Sequence, residues 1–268
     1  MIDLHVHDVT ARISPVDGGR IASLNVGGRD LLVTGDNATD PLLWGCYPMV
    51  PFAGRVRNGR FTFAGQQRQL RCNLGPHAIH GTGFTSVWEV LDAGFDHIEL
   101  QCALDWGFGG TAHQHILLTD EALVCVLSVL AGGEAMPVTL GWHPWFITPD
   151  NDRFEFAAMY RRDADGLPNG ELIDPAPRPW DDCLVGNRPP VELVYAPSRL
   201  GGTTRWLPGL SVRVSSDCDH WVVYDEPVHA TCVEPQSAPP DAFNLGLANV
   251  LAPGEFIQRT MTISWQVS

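Results

Sequence analysis

The chain contains no lysine; all 17 of its basic residues are arginine. That excludes Schiff-base catalysis, covalent pyridoxal phosphate and the lysine of a phosphate-binding loop. No Gly-x-Gly-x-x-Gly follows a strand-like run, which argues against a dinucleotide fold. No apolar run is long enough to span a bilayer. The start, Met1-Ile-Asp-Leu-His-Val-His-Asp8, lacks the basic region and apolar core of a secretion signal. The seven cysteines are scattered, odd in number and never spaced Cys-x-x-Cys. The expectation is reduced thiols in a cytoplasm, with neither a disulfide framework nor structural zinc. Positive charge is scarce, and the formal net charge is -14. Nucleic acid and anionic membranes are therefore poor partners.

What is present reads as β-structure. The 268 residues are 44% hydrophobic, enough for one large core. Residues 5–13, 20–26, 61–70, 86–91, 97–104, 113–118, 123–130, 191–195, 210–214, 221–224 and 256–267 alternate or are rich in β-formers. Gly, Pro, Asn and Asp cluster between them. Residues 245–250 make at most a turn or two of helix. The pattern predicts an all-β chain, a large antiparallel β-sandwich in a single domain over 1–268. Residues 174–179 and 186–190 read as long surface loops flanking a short functional segment.

Five stretches contain candidate chemistry. In Met136-Pro-Val-Thr-Leu-Gly-Trp-His-Pro-Trp-Phe146 a strand is expected to run out at Pro144. That places His143 at a strand end between two indoles, where imidazole can move protons near neutral pH. The alternative is a structural histidine bonded to a carbonyl. Pro51-Phe-Ala-Gly-Arg-Val-Arg-Asn-Gly-Arg-Phe61 sets Arg55 between glycines, with its donor fork free for hydroxyl oxygens. Arg57 and Arg60 read as solvated turn residues. Gly75-Pro-His-Ala-Ile-His-Gly-Thr-Gly83 offers His80, with His77 as a turn residue. Pro179-Trp-Asp-Asp-Cys-Leu184 offers two carboxylates beside an indole, a pattern suited to sugar or to an exposed acidic turn. Cys232-Val-Glu-Pro-Gln-Ser-Ala-Pro-Pro-Asp-Ala-Phe-Asn244 places Glu234 at a strand end, as a base or a rim ion pair. His5/His7 and His113/His115 share a strand face on paper and suggest a metal. No acid repeats at a metal-barrel spacing, so no metal is expected.

Together these stretches resemble the aldose 1-epimerase (galactose mutarotase) family, in its short bacterial-type branch. The matching pieces run in the family's order across most of the chain. His-Pro-x-Phe around His143 and Glu-Pro…Asp-Ala-Phe-Asn after Glu234 are the most specific. The resemblance implies a galactose mutarotase-like supersandwich with the sugar in an open cleft. It implies that His143 is the general acid, Glu234 the general base, His80 and Arg55 substrate-binding, and Asp181 the sugar-holding aspartate. Asp182 stands beside Asp181, and Leu184 replaces a usual aromatic. The implied activity interconverts α and β anomers, with Glu234 taking the C1 hydroxyl proton and His143 protonating the ring oxygen. It needs no cofactor, only a small sugar, and a monomer or homodimer suffices. The alternatives are a hexose-6-phosphate 1-epimerase, using the arginines at 55–71, and a non-catalytic carbohydrate-binding sandwich.

Overall fold

The computed structural model describes residues 1–36, 40–186, 191–199 and 206–267. Among these, strands gather into an eleven-stranded and an eight-stranded antiparallel sheet. The larger holds β1 (Ile2–Val6), β2 (Val9–Ser14), β3 (Arg20–Val26), β4 (Cys46–Met49), β5 (Gly141–Ile147), β6 (Ala158–Arg162), β7 (Pro168–Ile173), β8 (Asp181–Val185), β9 (His220–Tyr224) and β10 (Ala230–Gln236). Their spatial order is β1-β2-β3-β4-β5-β10-β9-β8-β6-β7, with the short strand Arg29–Asp30 paired to β3. The smaller sheet centres on Ala122–Leu130 and Phe256–Val267. One continuous apolar cluster joins the facing surfaces, with Leu24, Trp142, Phe146 and Trp221 from one sheet and Ile116, Leu127, Val212 and Ile263 from the other. Burying both inner faces is what period-2 alternation dictates. The large antiparallel sandwich expected from the sequence is the fold observed. Helix is limited to three short 3₁₀ turns and α1 (Ala242–Leu245), among the described residues.

Three expectations need correction. Residues 5–13 are not one strand; β1 and β2 form a hairpin turning at His7-Asp8, where His7 has φ +51°. Residues 61–70 likewise form a hairpin, Arg60–Phe63 with Gln66–Gln69, turning through Ala64 and Gly65 at positive φ. Neither turn has the Asn-Gly or Asp-Gly that marks such hairpins in sequence. Third, Pro144 does not end its strand. β5 continues to Ile147 in the middle of the large sheet, between β4 and β10. The residues 174–179 do form the connection between β7 and β8. Of the expected loop at 186–190, residues 187–190 lie outside the described residues.

The prolines act locally instead. β5 registers with β10 at Gly141↔Gln236 and again at Trp145↔Cys232. Between those pairs lie Pro144 and Pro235, neither with an N–H to give. The same register sets His143 opposite Glu234. The chain thus opens a gap in a central ladder beside His143 and Glu234.

Candidate active site

The cleft lies on the outer face of the large sheet, over β4, β5, β10, β9 and β8. Alternation assigns the side chains. On β5, Trp142 and Phe146 enter the sandwich core while His143 and Trp145 face outward. On β10, Val233 enters the core while Glu234 and Gln236 face outward. Its volume is about 300 Å³, at the small end of the ~300–1,000 Å³ usual for small-molecule sites.

His143 and Glu234 meet on its floor. Nε2 of His143 lies 3.2 Å from Oε1 of Glu234, and the residues are only 6% and 3% exposed. The Tyr47 ring stacks on His143 at 4.8 Å between centroids, and Trp145 at 5.3 Å. Burial drives both groups toward neutrality. It pulls the imidazole down to about 3. It pushes the carboxyl well above the usual range, with Asp181 adding to the rise. Gln236 Nε2, donating to Glu234 Oε2 at 3.1 Å, and Arg55 oppose that rise. The neutral pair and the ion pair hold the same protons and differ by one transfer across the 3.2 Å contact. The pair titrates as a unit.

His80 stands edge-on to His143, 5.1 Å between centroids, and is buried. The Gly54 amide donates to its Nδ1 at 3.2 Å. Burial, followed by the charges of His143 and Arg55, holds its pKa well below the ordinary value. A neutral ring with a lone pair at Nδ1 has its hydrogen at Nε2. The backbone that achieves this is tight. His80 has φ +59°, and a Cβ on Gly81 would lie 2.0 Å from the Val50 carbonyl oxygen.

His80, His143 and Glu234 are the one group of metal-capable side chains among the described residues, with ligand atoms within 4.8 Å of one another. The tautomer argues against a metal there. To ligate through Nε2, His80 would need its hydrogen at Nδ1, where the Gly54 N–H already points. The paired histidines do not form such a group: His5 is exposed on β1, and His7 is in the turn.

Arg55 and Asp181 face each other across the cleft mouth, Nη2 to Oδ2 at 3.0 Å, both half-buried. Asp182 is the more buried neighbour. Arg162, not singled out from the sequence, bridges the two, with Nε 2.6 Å from Asp182 and Nη1 donating to the Asp181 carbonyl at 2.6 Å. Burial raises the Asp182 carboxyl in spite of Arg162, and Asp181 adds to the rise. All five residues singled out from the sequence therefore line one cleft. Arg57 is not a solvated turn residue: it pairs with Asp163, Asp165 and Asp241.

Gln236, Tyr47 and Arg162 had no motif to announce them. Period 2 alone offers a clue for Gln236, two residues from Glu234 on the same strand. The Asp241-Asn244 half of its motif supports the site from behind. Asp241 N–H donates to the Arg55 carbonyl at 2.6 Å, and its Oδ1 accepts from the Arg57 amide at 2.9 Å and from Asn244 Nδ2 at 2.7 Å.

An antiparallel supersandwich whose outer cleft buries an imidazole 3.2 Å from a carboxylate, beside an arginine–aspartate pair, is the arrangement of the galactose mutarotase-like class of proteins. Within that class the chain belongs to the aldose 1-epimerase family, whose model matches residues 2–264. It is 31% identical to YphB, an uncharacterised protein of Escherichia coli K12, over 144 residues, 51% of this chain and 49% of that protein. That match covers about half the length of the relative. The fold is similar to a galactose mutarotase-like protein from Clostridium acetobutylicum, at TM-score 0.80 and 18% identity over 99% of this chain and 95% of that one. It is also similar to galactose 1-epimerase from Lactobacillus acidophilus NCFM, at TM-score 0.80 and 16% identity over 99% and 94%.

Proposed function

We propose that this protein interconverts the α and β anomers of an aldose by opening and reclosing the ring. The observation behind this reading is the buried 3.2 Å contact of His143 and Glu234 on the cleft floor. Glu234 takes the proton from the C1 hydroxyl while His143 delivers one to the ring oxygen. The C1–O5 bond breaks, the aldehyde rotates about C1–C2, and the ring recloses with the roles exchanged. Each proton transfer is worth roughly 10²- to 10⁴-fold. Arg55, Asp181 and the Nε2–H of His80 hold the sugar oxygens, and His80 and Arg55 stabilise developing charge. Trp145 and Tyr47 supply ring surface. The protein's own residues suffice for every step, so no metal or cofactor enters the proposal.

Two features weigh against the alternatives. The arginines lining the cleft among the described residues, Arg55 and Arg162, each lie against Asp181 or Asp182, whose negative charge offsets the attraction they would offer a phosphate. A passive binding module gains nothing from burying an acid against a base, which costs desolvation on both. A cytoplasmic site of action is part of the proposal; all seven cysteines are free, as a reducing compartment keeps them. No helix among the described residues is long and apolar enough to cross a membrane.

Polarimetry of freshly dissolved α-glucose, α-galactose and α-arabinose tests the reading. Faster equilibration of at least one sugar supports it. Sugar binding without acceleration of any would replace it with the binding-module reading.

A further inference from the structure

Gln236 lies two residues beyond Glu234, fully buried, with its side chain lining the cleft. Its Nε2 is committed to Glu234 Oε2. Its Oε1 is buried and has no partner among the described residues. A buried acceptor left alone is costly, and native structures fill such positions. The neighbours across the strands do not fill this one. On β5 the registered residue is Gly141, which has no side chain. On β9 it is His220, whose Nε2 meets the Tyr160 hydroxyl at 3.4 Å and whose Nδ1 is itself buried without a partner among the described residues, so it makes no bond to Gln236. The free oxygen is an acceptor, so its missing partner is a donor, an O–H or N–H of a ligand.

The reaction restricts which donor that is. C1 of an aldose is bonded to O1, O5 and C2. With O1 at Glu234 and O5 at His143, C2 is the remaining ring neighbour. Gln236 is on the strand of Glu234, not that of His143, and its amide already touches the Glu234 carboxylate. The donor next to O1 on that side is the one on C2.

We propose that Gln236 both orients Glu234 and binds substrate, its Oε1 accepting the hydrogen of a C2 hydroxyl, so that the preferred substrates are aldoses with a donor at C2. The inference rests on the anomer-interconverting reading above. A 2-deoxy aldose leaves Oε1 buried and unpaired in the transition state.

The test is polarimetry of an aldose and its 2-deoxy analogue, each rate divided by its own uncatalysed rate. Wild-type kcat/KM should favour the 2-hydroxy sugar by about tenfold or more. In Gln236→Met, which keeps the bulk and removes both polar atoms, that preference should collapse toward one. The same variant loses the donor to Oε2, so the basic limb of its pH profile should move to higher pH, which loss of packing alone does not produce. Equal wild-type use of both sugars would overturn the proposal, whether or not the variant folds. A variant that keeps the full preference would overturn it too. If neither sugar is accelerated, the anomer-interconverting reading itself falls, and this proposal with it.

Discussion

At the scale of single residues, the site is held in a state the fold itself resists. Burial raises the Glu234 carboxyl above its unfolded value, so the folded protein holds that proton more tightly. Stability from this group is therefore present at low pH and lost as pH rises through the folded value. Glu234→Gln removes the loss, and its melting temperature should exceed wild type by a margin that grows from about pH 4.5 upward. Calorimetry at several pH values checks this; a variant less stable than wild type at pH 8 would contradict it. His143 runs the other way. Its folded value is depressed to about 3, so the unfolded chain takes the proton first as pH falls below about 6.5. It contributes to acid destabilisation between those limits. The rate profile should be bell-shaped with a broad plateau. Its acidic limb marks a second proton reaching the pair and its basic limb the loss of the last one. Local motif and family resemblance singled out both members. Neither revealed the desolvation, because burial comes from strands far away in sequence.

At the scale of elements, placement depends on supports that the sequence conceals. Arg20 on β3 is fully buried and donates to the carbonyls of Asp17, Pro41, Trp44 and Phe84 at 2.6–3.1 Å. Its guanidinium lies over Trp44 at 4.1 Å and Tyr47 at 5.2 Å. An arginine in an alternating run reads as a solvent-facing position, so nothing local announces this role. Arg20→Met strands four acceptors, at ~1–3 kcal/mol for each that stays buried. Urea unfolding should show a loss of about 3 kcal/mol or more; less than ~1 kcal/mol would refute the role. Asp241 is the second support. Its side chain ties Asn244 of α1 to the Arg57 amide, and its own N–H donates to the Arg55 carbonyl. Asp241→Ala should lower kcat/KM roughly tenfold, since small misplacements of binding groups are costly. An unchanged kcat/KM would leave Asp241 a purely local turn residue. The Pro144–Pro235 gap teaches a related lesson. In the sequence a proline signals a strand terminus; in the sheet it interrupts one ladder while the strand continues.

At the scale of the whole molecule, the sandwich was legible because many segments alternate with a period of two, and burying their apolar faces together makes one core. The cleft was legible only as scattered motifs. Its assembly depends on the order of strands in the sheet, which sets segments far apart in the chain, from 46–49 to 230–236, side by side. Global charge follows the same logic. With a net charge of -14 and paired arginines in the cleft, a hexose 6-phosphate should be used about tenfold less efficiently than its neutral parent at low salt. Added salt should narrow the gap. Equal use at low salt would revive the phosphate-specific alternative.

The most direct test of the central claim is polarimetry of one accepted α-aldose with wild type, Glu234→Gln, His143→Asn and the double variant, in one buffer series. Each single variant should lose at least ~10²-fold in turnover. The double variant should lose far less than the product of the two losses, because both groups serve one transition state. Either single variant retaining more than about a tenth of wild-type turnover would contradict the account, given that ~10²-fold floor for a positioned acid or base.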